Sequence, residues 1–126
     1  MKRTMVWLMG SVLALAALPA SAGVAMQVWH CGIPDDATEE QVLVHSAEWL
    51  AAAKKLPGGE NMKLSIHFPV AGTPVGETDV LVLLTLPSFA DWGKFWDAYP
   101  DSDAAQLEGR SVSCTVSSVW EEHAIE

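Results

Sequence analysis

The stretch Asp79–Tyr99, DVLVLLTLPSFADWGKFWDAY, reads as one strand running directly into one helix, and the other elements fall into place around it. Asp79 to Leu86 is apolar at nearly every position, so both faces of the strand need cover, which marks it as central rather than an edge. Pro87 ends the strand. Ser88 is placed as an N-cap with Asp91 three positions on, and Phe89, Trp92, Trp96 and Tyr99 recur at helical spacing.

Working outward, Met62 to Val70 alternates, with Met62, Leu64, Ile66, Phe68 and Val70 on one side and Lys63, Ser65 and His67 on the other. This is a half-buried strand, and its polar alternates and Pro69 place it at a sheet edge. Ala71 to Thr78, AGTPVGET, is a turn-rich connection to the central strand. Before them, Val24 to Cys31 is a β-prone run ended by Gly32-Ile33-Pro34. A helix follows, opened by a Thr38/Gln41 capping box with Glu39 and Glu40 at the positive end of its dipole and Lys54-Lys55 at the other. Val42, Ser46, Trp49, Ala53 and Leu56 line one side of it, and Pro57-Gly58-Gly59 stops it. After the second helix, Pro100 to Arg110 is a polar loop with one helical turn around Ala104 to Glu108. Ser111 to Trp120 is the last strand, and Glu121 to Glu126 reads as a frayed tail.

The first 22 residues are expected to lie outside this fold. Lys2 and Arg3 precede an apolar run from Met5 to Leu18, and Ala20-Ser21-Ala22 offers a cleavage site, the pattern of a signal peptide. The expected product is a single periplasmic or secreted domain, 23–126, without a membrane segment after cleavage. Taking Lys2 and Arg3 from the seven basic residues leaves five against sixteen acidic ones, a net charge of −11. Such a surface repels nucleic acid and anionic lipid. The two cysteines, Cys31 and Cys114, both lie in the exported part without CxxC spacing. A structural disulfide is the simplest reading, worth about 4 kcal/mol in the chain-entropy model; a free thiol or a metal ligand has no local support.

The order strand, helix, strand, strand, helix, strand at this length is that of an α+β ferredoxin-like βαββαβ sandwich, with a four-stranded antiparallel sheet in the order 4-1-3-2 and both helices on one face. The first and last strands are then neighbours, which would bring Cys31 and Cys114 together. Such a bridge sets Trp29 opposite Val116, Gln27 opposite Ser118 and Ala25 opposite Trp120. By alternation, Leu64, Ile66, Val80, Val82, Leu84, Leu86, Val112, Val116, Trp120 and Trp29 belong under the helices. The opposite face carries Met26, Val28 and His30, then Lys63, Ser65 and His67, then Leu81, Leu83 and Thr85, then Ser113, Thr115, Ser117 and Val119. A domain this small is not expected to leave Leu81, Leu83, Val28 and Met26 in water, so a homodimer through this open face is expected.

In element order, over Val24 to Trp120, the chain resembles the dimeric α/β-barrel superfamily, ferredoxin-like domains that pair sheet against sheet. The resemblance implies a ligand or active site between sheet and helices or at the barrel mouth. It spans cofactor-free monooxygenases, haem-degrading enzymes, isomerases and members without known activity. No family motif accompanies it, and an Asn-Trp-His set assembled from Asn61, Trp92 or Trp96 and a histidine is too loose to carry roles over.

The candidate ligand-binding residues are His30, with Thr115 opposite and Thr85 and Lys63 at the same end of the sheet, together with Trp92 and Trp96, one helical turn apart, as a wall for a flat apolar or aromatic ligand. His30 is also the candidate proton-handling residue, against the plainer reading of a hydrogen bond to Thr115. His67 is expected toward the other end of the sheet and about 10 Å away laterally, too far to share a metal with His30. His45 and Glu48 read as a solvated helix-face pair. No nucleophile elbow, metal-hydrolase, P-loop or dinucleotide motif is present, so no cofactor or metal is assigned. The leading expectation is a ligand- or partner-binding module. The alternatives are a cofactor-independent monooxygenase or isomerase, and a purely structural dimer, so whether the chain is an enzyme stays open.

Overall fold

A computed structural model describes residues 23–72, 76 and 78–126. The expected signal peptide, 1–22, and part of the AGTPVGET connection lie outside the described residues. The elements are β1 (Val24–Gly32), α1 (Glu39–Ala53), β2 (Lys63–His67), β3 (Val80–Leu86), α2 (Phe89–Ala98), α3 (Asp103–Gln106) and β4 (Ser113–Glu122). The sheet runs β2-β3-β1-β4 and every pairing is antiparallel, so the ferredoxin-like order expected from the sequence holds.

Both main helices begin where their side chains satisfy the free N–H groups of the first turn. Thr38 Oγ1 accepts from Gln41 N, and Gln41 Oε1 accepts from Thr38 N, a complete capping box. At α2, Ser88 Oγ accepts from Asp91 N and donates to the Asp91 carboxylate at 2.8 Å. Gly58 then lets the chain leave α1. Its φ is +82°, and a Cβ there would collide with the Asp91 carbonyl oxygen, so the turn after α1 packs directly on the backbone of α2. The core between helices and sheet is built from Ala25, Val42, Ala53, Met62, Val80, Leu84, Leu86, Phe95 and Ala104, all essentially buried.

The Cys31–Cys114 disulfide is present, but the register beyond it differs from the expected one. Cys31 pairs with Cys114, whereas His30 already pairs with Val116, so β4 carries one extra residue, Thr115, at a β-bulge. Every later pair is displaced by one: Trp29 faces Ser117, Gln27 faces Val119 and Ala25 faces Glu121. Because the side-chain period of a strand is two, the bulge exchanges the faces of β4. Val116 and Trp120, expected under the helices, lie on the open face, 55% and 56% exposed. Ser117 and Val119, expected on the open face, share the helix side with Trp29 and Gln27.

The open face is a grid of three rows. One row is Lys63, Thr85, Met26 and Trp120, the next Ser65, Leu83, Val28 and Ser118, and the last His67, Leu81, His30 and Val116. His30 and His67 thus occupy the same row, not opposite ends as expected, and Thr85 and Lys63 share the far row.

Candidate functional site

The chemistry-bearing interior begins with Gln27. Its phase in β1 turns it toward the helices, where it is almost fully buried. A buried amide needs partners for both its oxygen and its nitrogen. Trp92 Nε1 and Trp96 Nε1 each donate to Gln27 Oε1 at 3.0 Å, and Gln27 Nε2 donates to Ser117 Oγ at 3.0 Å. One side chain therefore ties α2, β1 and β4 together and fixes both indoles.

A second network lies beside it. Trp49 Nε1 donates to Tyr99 Oη at 3.1 Å, and Tyr99 Oη donates to Glu108 Oε2 at 3.0 Å. Burial pushes the Tyr99 phenol from its usual 10 up to about 12, with the adjoining carboxylate acting in the same direction, so the phenol stays protonated and can hold its bond to Glu108. Arg110 reaches from the segment after α3 to Glu48 on α1 and forms an ion pair with it. The guanidinium holds the Glu48 carboxyl below its ordinary range.

These networks frame a cavity of about 300 Å³ between the helix side of the sheet, α1, α2 and the chain from Leu107 to Val112. Trp29, Trp49, Trp96 and Tyr99 supply aromatic walls, Leu64 and Val82 an aliphatic floor, and His45, Glu108, Arg110, Thr115 and Ser117 polar groups. The rings meet at angles: Trp29 and Trp96 at 61°, Trp96 and Tyr99 at 66°, Trp49 and Tyr99 at 54°. His45 is half-buried, and its Nδ1 is shielded from solvent with no hydrogen-bond partner among the described residues. It borders the cavity instead of standing on a solvated helix face, as expected, while Glu48 bonds Arg110.

The expected site residues do not form one site. Trp96 and Thr115 border the cavity, and Trp92 stands beside it through Gln27. His30, Thr85 and Lys63 are on the other face of the sheet, and His30 is four positions along the sheet from the Thr85 row. The neighbour of His30 on β4 is Val116, since the bulge displaces Thr115, and its Nδ1 lies 3.4 Å from Thr78 Oγ1. Trp29, Trp49, Tyr99, His45, Glu108, Arg110 and Gln27 were not among the expected site residues. Gln27 did carry a signal, a polar residue in phase with Ala25 and Trp29 on the helix side of a strand.

No protein-family model matches the chain, and no curated protein matches it in sequence. Solved structures do resemble it in shape. One is a protein provisionally named a chlorite dismutase, TA0507, at 12% identity and a TM-score of 0.50, aligned over 79% of this chain and 44% of its own. Another is a dimeric ferredoxin-like protein of unknown function from Thermobifida fusca YX, at 15% identity and 0.49, covering 80% of this chain and 92% of its own. A third, also dimeric and ferredoxin-like, is from Bacteroides fragilis NCTC 9343, at 18% identity and 0.44, covering 79% and 95%. The chain spans less than half of the chlorite dismutase-named protein. At these identities the likeness is one of fold alone, in keeping with the ferredoxin-like sheet order of the chain.

Proposed function

We propose that this chain is an exported, homodimeric binding domain whose cavity between helices and sheet holds a small, largely apolar organic ligand. The observation that carries the reading is the cavity itself. At about 300 Å³ it stands at the lower end of the range for small-molecule sites, with aromatic walls and a few polar groups at its edge. Its walls are also held in advance of any ligand, because Trp96 and Trp49 each donate a hydrogen bond to a fixed partner.

Export is supported by the basic-then-apolar N-terminal pattern and by the disulfide, which persists in oxidising compartments. A homodimer is supported by the open face, where Met26, Val28, Leu81, Leu83, Val116 and Trp120 form an apolar field edged by Lys63, Ser65 and His67. Proton-transfer catalysis by His30 gains no support from the geometry, since His30 is on the face of the sheet opposite the cavity.

Tryptophan fluorescence of the mature protein, titrated with a library of small organic compounds, tests the binding reading. A saturable change that is lost in Ser46→Phe, which fills the cavity from α1, is the expected result. A flat response to every compound, or an undiminished response in the filled variant, overturns it.

A further inference from the structure

We propose that the ligand class of this cavity is a compact organic cation of the methylated-ammonium type. The inference rests on the reading that the cavity binds a ligand and goes on to specify its charge and shape.

Shape comes from the rings. A flat aromatic ligand seats best against parallel faces, whereas the contacting pairs Trp29–Trp96, Trp49–Tyr99 and Trp96–Tyr99 meet at 54° to 66° and so make walls turned toward different directions. Walls of that kind suit a rounded group that touches several rings together. The negative π-face of indole and phenol attracts a cation most strongly where water is displaced, and methyl groups on nitrogen fill such a space without needing hydrogen bonds.

Charge comes from the two ionic side chains on the lining, Glu108 and Arg110. Arg110 is already engaged by Glu48 of α1. Glu108 accepts from the neutral Tyr99 phenol and forms no ion pair among the described residues. The balance at the cavity is therefore one carboxylate without a cationic partner, beside four aromatic rings. An anionic ligand would have to compete with Glu48 for Arg110 and approach Glu108. The chain as a whole carries a formal charge of −9, which raises the local concentration of cations over anions.

The test is calorimetric titration of the mature protein with choline and with 3,3-dimethylbutan-1-ol, its uncharged carbon analogue of nearly the same shape, and with indole as a flat neutral probe. The expected result is choline binding at least about tenfold tighter than the alcohol. In Glu108→Gln, an exposed position whose change spares the core, that preference should shrink severalfold while affinity for the alcohol holds. If the alcohol or indole binds as tightly as choline or more so, the cation proposal is overturned and the cavity reading survives. If no probe binds, the proposal falls, and the library titration then decides the cavity reading separately.

Discussion

Replacing Gln27 with leucine would leave the indole N–H groups of Trp92 and Trp96 and the hydroxyl of Ser117 without their interior partner. Each buried donor left unsatisfied costs about 1–3 kcal/mol, so the variant should lose about 2–4 kcal/mol in urea unfolding, a large share of the stability of a small domain. Gln27→Glu keeps an acceptor for both indoles but buries a carboxyl and removes the donor to Ser117, so it too should be destabilising. Tyr99 gives a pH signature. Its folded pKa is raised from 10 to about 12, so its contribution is fully present below pH 10 and is lost as the pH rises toward and through 12. The expected outcome is a late phenolate absorbance change together with falling stability over that window. In Tyr99→Phe this component of the alkaline fall should disappear.

Among the elements, β4 shows how one residue redirects a strand. The sequence SVSCTVSSVW places Val112, Val116 and Trp120 four apart, which fits one face of a regular strand, and nothing in the pattern marks Thr115 as extra. A bulge is a backbone adjustment to the neighbouring strand, so its position depends on where β1 and the disulfide hold β4. Deleting Thr115 would remove the bulge and keep the pairs on either side of it, Cys31 with Cys114 and His30 with Val116, so the disulfide and the open-face positions of Val116 and Trp120 should survive, read as unreactive cysteines and an unchanged tryptophan fluorescence maximum. The turn after α1 was easier to read. Pro57-Gly58-Gly59 signals a stop, and the structure adds that Gly58 has positive φ and touches the backbone of α2. Gly58→Ala should therefore cost about 1–3 kcal/mol from backbone strain alone, and more once the contact with Asp91 is counted, as read by chemical denaturation.

For the whole molecule, stability and assembly separate experimentally. Cys31 and Cys114 are 83 residues apart, so removing both sulfurs as a Cys31→Ser, Cys114→Ser pair should cost about 4 kcal/mol, measured against the oxidised protein by denaturant titration. The open face predicts a different behaviour. Trp120 is more than half exposed in the single chain, so Trp120→Glu should change the stability of the isolated domain by less than about 0.5 kcal/mol. If a second copy covers this face, the same substitution places a charge in an apolar contact, and light scattering should report a shift from dimer to monomer. A native protein that is monomeric at all concentrations removes the homodimer from the proposal and leaves the cavity untouched.

Element order, the two capped helices, the central position of Asp79–Leu86 and the pairing of Cys31 with Cys114 were all legible in the sequence, because each depends on local periodicity, caps and turns, or on a topology with few alternatives. Period-two alternation likewise sorted β1, β2 and β3 onto the correct faces. The candidate site was legible only in part. Trp96 was found because aromatic residues at helical spacing invite attention, whereas Glu108, Arg110, His45 and Trp49 lie in a loop and on another helix, with nothing in their spacing to relate them. Tertiary structure alone decided three things: the face of Val116 and Trp120, the row shared by His30 and His67, and the closing of the cavity by the Leu107–Val112 segment. Each depends on the register between strands or on the path of a loop across two helices, and that geometry is set by packing among residues distant in the chain.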